Sequence, residues 1–372
     1  MLTKGIGLIG LGSITDVHTT AYAKFGLPLV AGYDPAPAAR ERFAQRCPDV
    51  RLYASLDELL ADPRVAVVDV ATPHYRASRV PVLATVAAAR KPAFIQKPLA
   101  MTYADALEIA DAFEKAGVPT MVNQNMCFTP GALGLPHLLL EDKVVGAPFL
   151  AHLELRFRFD CAPEHWFGKD ERWWTIGLTV HHLGLLQMLF GPPVQVYAVT
   201  GKDPAQPGVT HDGYGHLVMT YATGLHLTLL STGTYYGLHP IGHTHEQLWV
   251  QGPLGIIDWT PQDGYAVTLR ANLDSDEPAQ RTQVAGKWFP DAFGLGMAHF
   301  QQALAAGAAP LCSVQDNLYV MAVIEATYRS TQEKRAVDLT EIMGDRYDSS
   351  YGSGWFHGYR AWQPPAIPAN AG

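Results

Sequence analysis

The sequence contains few cysteines, no long apolar run and no block of positive charge. Its four cysteines, Cys47, Cys127, Cys161 and Cys312, form no CxxC pair, which argues against a disulfide framework and predicts reduced thiols in the cytoplasm. Because no run of about 18 apolar residues occurs and no apolar leader follows the first methionine, we expect neither a membrane span nor export.

The charge balance narrows the class of partner. Aspartate and glutamate total 35 against 27 lysines and arginines, which gives a formal net charge of −8. Since nucleic acids and anionic membranes are bound through clustered positive charge, we expect neither as a partner and take a small molecule as the default. Hydrophobic residues make up 48% of the 372 positions, so the chain is globular and long enough for two domains.

A glycine-containing turn follows the first predicted strand, which covers residues 5–9. Gly10 permits a tight turn, and Gly12 lets the backbone approach a pyrophosphate bound at the start of the next helix. Thr15 occupies the place of the third glycine of a GxGxxG motif, so the motif is incomplete. The residues predicted to bind the pyrophosphate are Gly10, Gly12, Ser13 and Ile14.

A carboxylate at the end of the second predicted strand suits the other end of a dinucleotide. Asp34 lies about twenty residues beyond the glycines, the spacing at which a carboxylate binds the adenosine ribose hydroxyls. No Arg or Ser stands directly beside Asp34 to receive a 2′-phosphate, which favours NAD over NADP. Arg40 is the residue that keeps NADP open.

Strands and helices alternate through the rest of this half. A continuous apolar run at residues 65–71 is typical of a buried parallel strand, a helical segment follows at residues 77–89, and the next strand runs into Lys97. This order predicts an α/β fold with a doubly wound parallel sheet, in which ligands bind at the carboxyl ends of the strands. The residues predicted at that edge are Thr72, Pro73, His74, Gln96 and Lys97.

The motifs together resemble the Gfo/Idh/MocA family of glucose–fructose oxidoreductase, inositol dehydrogenase and rhizopine-catabolism proteins. The matching segments, in the family's order, are residues 10–14, 71–73, 96–100 and 123–125, then His181, and the resemblance covers roughly residues 4–340. It implies a Rossmann domain followed by an α+β domain with a large open-faced, mostly antiparallel sheet. It also implies NAD or NADP, a carbohydrate-like substrate, and a homodimer or homotetramer formed through the open sheet.

The resemblance assigns the chemistry to two side chains. Lys97 takes the place of the family's catalytic lysine, which exchanges the hydroxyl proton as hydride moves between substrate and nicotinamide. His181 takes the place of a histidine that positions the hydroxyl or shares its proton. Gln124 and the turn at residues 72–74 are expected to border the nicotinamide or the substrate, and Asn125 the substrate.

The sequence departs from the family pattern beside both catalytic residues. Gln96 replaces a glutamate, and the loss of that charge should lower the pKa of Lys97 and favour a neutral amine near pH 7. Gly177 and Gly184 replace two acids that flank the family's histidine. His181 must therefore find a polarising partner elsewhere, or its role is reduced.

Beyond residue 150 the apolar period changes to two. Arg156 and Arg158 fall on the polar face of the first strand, where they clamp a ligand, face solvent or contact a second subunit. Trp166 and Trp174 either stack on a sugar or anchor a loop. Further strands are predicted at residues 194–200, 214–221, 225–234, 246–251 and 256–259.

Several histidines fall in this half of the chain. His239, His243 and His245 match no familiar zinc signature, so we expect no metal and predict that His243 lines the substrate cleft. His181 and His182 project about 100° apart on a helix and cannot face the same site, so His182 is expected to be structural.

These observations divide the chain into a Rossmann domain at residues 1–123, a substrate-binding and oligomerisation domain at residues 124–344, and an aromatic, proline-rich tail at residues 345–372. Helices expected at residues 291–306 and 316–334 would pack the second domain. The tail would wrap a neighbouring subunit or cover the mouth of the active site.

The leading expectation is an NAD-dependent oxidoreductase that transfers a hydride between nicotinamide and a hydroxyl or keto carbon of a sugar, polyol or sugar acid. The missing acids leave open a redox-neutral enzyme, in which transient oxidation drives glycoside cleavage, elimination or isomerisation. A non-catalytic sensor of dinucleotide or sugar is the third class. Lys97 argues against the sensor, because pure binding has no evident need of that amine.

Overall fold

The structure, a computed structural model, describes residues 4–237, 245–261, 264–272, 279, 281–351, 362 and 364–368. The chain divides into two compact units. The first unit contains residues 1–128, 286–321 and 354–372, and the second contains residues 129–285 and 322–353. Within the described ranges, no helix is both long and apolar enough to cross a membrane.

The first unit is built on a six-stranded parallel sheet with the order β3–β2–β1–β4–β5–β6. Its strands are β1 (Ile6–Ile9), β2 (Leu29–Tyr33), β3 (Arg51–Tyr53), β4 (Val67–Val70), β5 (Ala93–Gln96) and β6 (Thr120–Asn123). Strands β1, β4, β5 and β6 are buried along their whole length, as in parallel sheets that are covered on both faces. The order reverses between β1 and β4, which confirms the predicted doubly wound fold.

The helices predicted at residues 77–89, 291–306 and 316–334 are present with bounds that differ by at most two residues, whereas the short helices at residues 37–46 and 340–343 were not predicted. The helices are α1 (Thr15–Phe25), α2 (Pro37–Arg46), α3 (Leu56–Ala61), α4 (Arg76–Ala88), α5 (Tyr103–Ala116), α6 (Val180–Phe190), α7 (Asp291–Ala306), α8 (Val314–Glu333) and α9 (Thr340–Met343). Local chemistry fixes several ends. Thr102 Oγ1 accepts a hydrogen bond from the Asp105 N–H at 3.1 Å and caps α5. Ser313 and Asp316 form a reciprocal capping pair at the start of α8.

Helix α7 belongs to the first unit, although the sequence placed its residues in the second domain. It packs on α1, where a Cβ added to Gly294 would lie 2.3 Å from the Phe25 ring, so the close approach requires glycine. Lys24 Nζ also lies 2.6 Å from Asp291 Oδ1, across 267 positions of sequence. A linear boundary could not anticipate this return of the chain, because the contacts join residues so far apart.

The second unit is built on a nine-stranded sheet with the order β14–β13–β12–β11–β7–β10–β9–β8–β15. Its strands are β7 (Leu150–Arg156), β8 (Gln195–Gly201), β9 (Tyr214–Thr220), β10 (His226–Thr232), β11 (His245–Gly252), β12 (Gly255–Thr260), β13 (Gly264–Leu269), β14 (Arg281–Thr282) and β15 (Val337–Asp338). Neighbours are antiparallel except β7 and β10, which pair in parallel, so the sheet is mixed. The sequence did not predict β13, β14 and β15, and the last two are only two residues long.

Trp362, one of the described residues of the tail, has a buried side chain. It is 7% exposed and packs in the first unit against Phe128 and His299, at ring-centroid distances of 5.8 and 4.8 Å. The tail therefore places an aromatic anchor in the core of its own chain. The predicted roles of covering a subunit or the active-site mouth remain predictions.

Candidate cofactor-binding and active site

The glycine turn after β1 has the geometry that a pyrophosphate requires. Gly10 has φ +88°, and a Cβ there would lie 2.9 Å from backbone atoms of Ala71 and Thr72, so no other residue fits without strain. A Cβ added to Gly12 would meet no heavy atom within 4 Å, so the space beside this residue is open. A pyrophosphate could approach the backbone there and use the N–H groups that begin α1.

Thr15 closes the turn in place of the third glycine. Its side chain is fully buried, and its hydroxyl donates a hydrogen bond of 2.5 Å to the Gly12 carbonyl oxygen. The neighbouring Ile14 packs partly buried against a core cluster that includes Leu8 and Leu11, whereas Ser13 is exposed. The incomplete motif thus keeps its turn through a side-chain bond.

Asp34 lies beside this turn at the end of β2. Its Oδ2 accepts a hydrogen bond from the Leu11 N–H and its Oδ1 one from the Ala36 N–H, both at 2.9 Å. These bonds fix the carboxylate and leave lone pairs for two ribose hydroxyls. Arg40 donates to the Asp34 carbonyl oxygen at 2.6 Å, so its guanidinium is held against the backbone of the same turn. The glycine turn and the carboxylate together fit the adenosine and pyrophosphate of NAD.

Lys97 directly follows β5 and is half-buried. Burial lowers the pKa of its amine to about 8. The lowered pKa agrees in direction with the expectation from Gln96, but its cause here is desolvation. At pH 7 roughly a tenth of an amine with such a pKa is neutral, so protonated lysine predominates there.

Gln96 uses its side chain within the protein. It is 6% exposed, and its Oε1 accepts a hydrogen bond of 2.8 Å from Asn123 Nδ2 on the neighbouring strand β6. The amide therefore ties together the two strand ends that carry Lys97 and Gln124. Its predicted contact with the cofactor stays a prediction.

The turn after β4 lies close enough to Lys97 for the charge of that amine to act on His74. Burial, with the nearby charges of Arg79 and Lys97, lowers the pKa of His74 to about 3, so this imidazole is neutral at pH 7. The His74 and Tyr75 rings stack with centroids 5.0 Å apart. Thr72 and Pro73 precede His74 in the same turn, which is held to the β5 end by Arg79. Sequence reasoning missed Arg79, whose only signal was an arginine within an otherwise largely apolar helical segment.

Two side-chain amides follow β6, and in each of them one of the two polar atoms has a hydrogen-bond partner. Gln124 Nε2 donates to Asn317 Oδ1 at 2.8 Å, and Asn125 Oδ1 accepts from the Trp288 indole N–H at 2.8 Å. Both residues are at most 1% exposed. Gln124 Oε1 and Asn125 Nδ2 have no hydrogen-bond partner among the described residues, so each retains capacity for a polar ligand atom.

The second unit carries His181 near the start of α6, where it is 5% exposed. The adjacent His182 behaves as predicted: its Nε2 lies 3.1 Å from Glu246 Oε1, with both side chains 2% exposed. Glu246 on β11 is therefore a buried acid that pairs with His182. The ring of Trp173 lies 3.2 Å from the position of a Cβ on Gly177, so a side chain there would require the indole to shift by a few tenths of an ångström.

The structure corrects one of the two predicted tryptophans. Trp174 has no exposed surface, and its indole N–H donates to Ser231 Oγ at 3.1 Å, so it anchors the core of the second unit and cannot stack on a sugar. Trp166 is 46% exposed and keeps the prediction of a sugar contact. Both indoles lie in one short aromatic and basic segment, so the sequence reasoning treated them alike.

The arginine pair on the polar face is engaged by acids. Arg156 Nη2 donates to Glu154 Oε1 at 3.1 Å, and Arg158 Nε lies 2.9 Å from Asp160 Oδ2. Both arginines remain partly exposed, so their predicted ligand contact stays open. His243 and His239 lie outside the described residues. In the part of the chain that the structure describes, no group of three or more His, Cys, Asp or Glu side chains could hold a metal ion.

Comparisons with known proteins agree with this geometry. The model of an oxidoreductase family with an NAD-binding Rossmann fold, GFO_IDH_MocA, matches residues 4–124, and the model of its C-terminal alpha/beta domain matches residues 139–339. The chain is 28% identical over 356 residues to a D-apiose dehydrogenase from Paraburkholderia graminis, which covers 90% of this chain and 89% of that protein. It is 34% identical over 242 residues to an inositol 2-dehydrogenase from Acidothermus cellulolyticus, which covers 63% of this chain and 68% of that protein.

A solved structure has the same fold. The crystal structure of an oxidoreductase from Agrobacterium radiobacter in complex with NAD⁺, L-tartaric acid and magnesium superimposes with a TM-score of 0.80 at 22% identity, and covers 91% of this chain and 99% of that one. The two family models together match well over half of the sequence. The chain therefore belongs to the Gfo/Idh/MocA family of NAD-dependent oxidoreductases.

Proposed function

We propose that this protein is a cytoplasmic dehydrogenase that oxidises a CH–OH group of a sugar, polyol or sugar acid with NAD as the hydride acceptor. The observation that carries the proposal is Lys97, a half-buried amine with a pKa lowered to about 8, at the strand edge that also holds the glycine turn. Four free cysteines support a reducing compartment.

The residues of the first unit have separate roles in this proposal. Gly10, Gly12 and Asp34 would hold the pyrophosphate and adenosine ribose of NAD, which when bound supplies the hydride acceptor. Lys97 in its neutral form takes the proton of the substrate hydroxyl. Neutral His74, with Gln124, would border the reacting carbon and hydroxyl through hydrogen bonds. Asn125, whose Nδ2 has spare donor capacity, would bind a further substrate oxygen.

The remaining predicted residues belong to the second unit. His181 stays the second predicted catalytic residue, and Trp166, Arg156 and Arg158 the predicted substrate contacts. Gly177 and Gly184 replace the two acids that flank the family's histidine, and the buried carboxylate of Glu246 bonds to His182. We therefore assign the main proton transfer to Lys97.

The experiment compares the protein with its Lys97→Met variant. Each is mixed with NAD and D-apiose, myo-inositol, other polyols and sugar acids, and NADH and the sugar product are both measured. We expect NADH in equal amount to oxidised sugar, and a loss of about 100-fold or more in Lys97→Met with NAD affinity retained. Bound NAD without turnover of any substrate would refute the proposal.

The missing acids at Gly177 and Gly184 favour one second candidate. In a redox-neutral enzyme the oxidation is transient, and a changed sugar is released without net NADH. The same mixtures separate the two, because the second candidate gives product while free NADH does not accumulate.

We also propose that the protein assembles as a homodimer or homotetramer through the open face of the nine-stranded sheet. Tyr197, Val199 and Val218 are 44, 45 and 39% exposed, and Tyr197 pairs directly with Val218 across β8 and β9. Apolar side chains grouped on a sheet face are typical of a covered surface. Light scattering should give two or four chains, and Val199→Glu should dissociate them. A monomeric wild-type protein would refute this proposal.

A further inference from the structure

Arg79 is a buried cation in α4, a helix that otherwise packs with apolar residues. Its side chain is 1% exposed, although arginine is among the residues that are almost never fully buried unless paired. Burial lowers its pKa to about 9, and the nearby carboxylate of Asp69 opposes that effect. The guanidinium therefore stays charged at pH 7, and the fold must supply its partners.

Those partners come from the two turns that form the predicted active-site edge. Nε donates to Thr72 Oγ1 at 3.1 Å, and Nη2 donates to the Thr72 carbonyl oxygen, in the turn after β4. Nη1 donates to the carbonyl oxygens of Gln96 at 2.7 Å and Pro98 at 3.3 Å, which flank Lys97 after β5. One rigid, planar group thus bridges the two turns, with a bond on each side of Lys97.

The bridge cannot be reproduced by another cation. The guanidinium presents its donors in a fixed fork, so a bond to one turn sets the direction of the bond to the other. A lysine at position 79 would keep the charge, but its single nitrogen could not reach all of these acceptors at once.

We propose that Arg79 is a positioning residue, which fixes the backbone of Lys97 relative to the 72–74 turn so that the amine and the His74 imidazole face the same reacting group. This inference rests on the proposed function for the role of Lys97, and extends it by naming the group that sets the geometry. Arg79 itself touches only the protein.

The test uses Arg79→Lys, with Arg76→Lys as the matched control. Arg76 lies on the same helix, but it is exposed and its guanidinium pairs with Asp105 and Glu108 of α5. Two readouts are measured for each protein: kcat and KM for NAD, and the pH dependence of Lys97 acylation by acetic anhydride, followed by mass spectrometry. The second readout requires no turnover.

We expect Arg79→Lys to lose at least about tenfold in kcat, because small displacements of a reacting group cost orders of magnitude in rate. KM for NAD should change less than about twofold, since the glycine turn and Asp34 are untouched. Lys97 should titrate at higher pH than in wild type, as its amine becomes more hydrated. Arg76→Lys should match wild type in both readouts.

Wild-type values of kcat and of the Lys97 titration in Arg79→Lys would overturn the proposal. If Arg79→Lys shows no cooperative unfolding, Thr72→Val is used in its place. This substitution removes one acceptor of the Arg79 side chain. It should lower kcat about two- to fivefold and raise the pKa of Lys97. Wild-type behaviour of Thr72→Val in that case would also overturn it. If the wild-type protein forms no NADH from any substrate, the proposed function fails, while the Lys97 titration still tests Arg79.

Discussion

The proposed role of Lys97 sets the pH dependence that we expect of the oxidation. Its pKa is lowered to about 8, and only the neutral amine accepts the hydroxyl proton. The neutral fraction rises from roughly a tenth at pH 7 to about a half at pH 8. We therefore expect kcat/KM to rise about fivefold between these pH values and to level off above about pH 9.

Gln96→Glu should change the pKa of Lys97, although glutamate has nearly the same size and shape as glutamine. The new carboxylate retains an acceptor for the Asn123 bond that Gln96 accepts at 2.8 Å, and adds a negative charge next to Lys97 in sequence. A neighbouring opposite charge raises a lysine pKa by about one unit or more. At pH 8 the neutral fraction then falls from about a half to about a tenth, so the rate should fall about fivefold, while the rates converge above about pH 10.

The assay is the initial rate of NADH formation at saturating NAD, across the pH range over which the protein stays folded. Gln96→Met is the control, because it loses the Asn123 bond without adding charge. An apparent pKa in Gln96→Glu equal to that of wild type would refute the electrostatic reasoning. An equal upward shift in Gln96→Met would assign the effect to lost packing.

Three further substitutions test separate parts of the structure. Gly10→Ala should weaken NAD binding at least about tenfold by calorimetry, because a side chain at this positive φ strains the turn by about 1–3 kcal/mol; unchanged affinity would contradict the assigned turn. Trp174→Ala should lower the free energy of urea unfolding by about 3–5 kcal/mol, whereas Trp166→Ala, at an exposed site, should leave it unchanged and raise the KM for sugar. Glu246→Ala leaves His182 buried without its acid and should cost about 1–3 kcal/mol in the same assay; full stability would show that the pair contributes nothing.

Short stretches of sequence determined the cofactor half of the site. A turn that needs Gly10, a carboxylate about twenty residues later at Asp34, and alternating strands and helices are all encoded within windows of a few tens of residues. The parallel sheet follows from that alternation, and with it the common edge at which Lys97 and the 72–74 turn lie. These features could be predicted because each depends on backbone geometry and local periodicity.

Only the tertiary structure decided which polar and aromatic groups meet. Cys127 and Cys312 looked unrelated in sequence, yet a hydrogen bond between their thiols, with burial, raises the pKa of Cys312. Trp174 and Trp166 lie in the same short aromatic segment, but Trp174 is fully buried and Trp166 is exposed. Arg79 donates hydrogen bonds to carbonyl groups 17 and 19 positions away, at the end of a different strand. Contacts of this kind depend on how distant segments pack, and no local pattern of residue types records which partner a buried group will find.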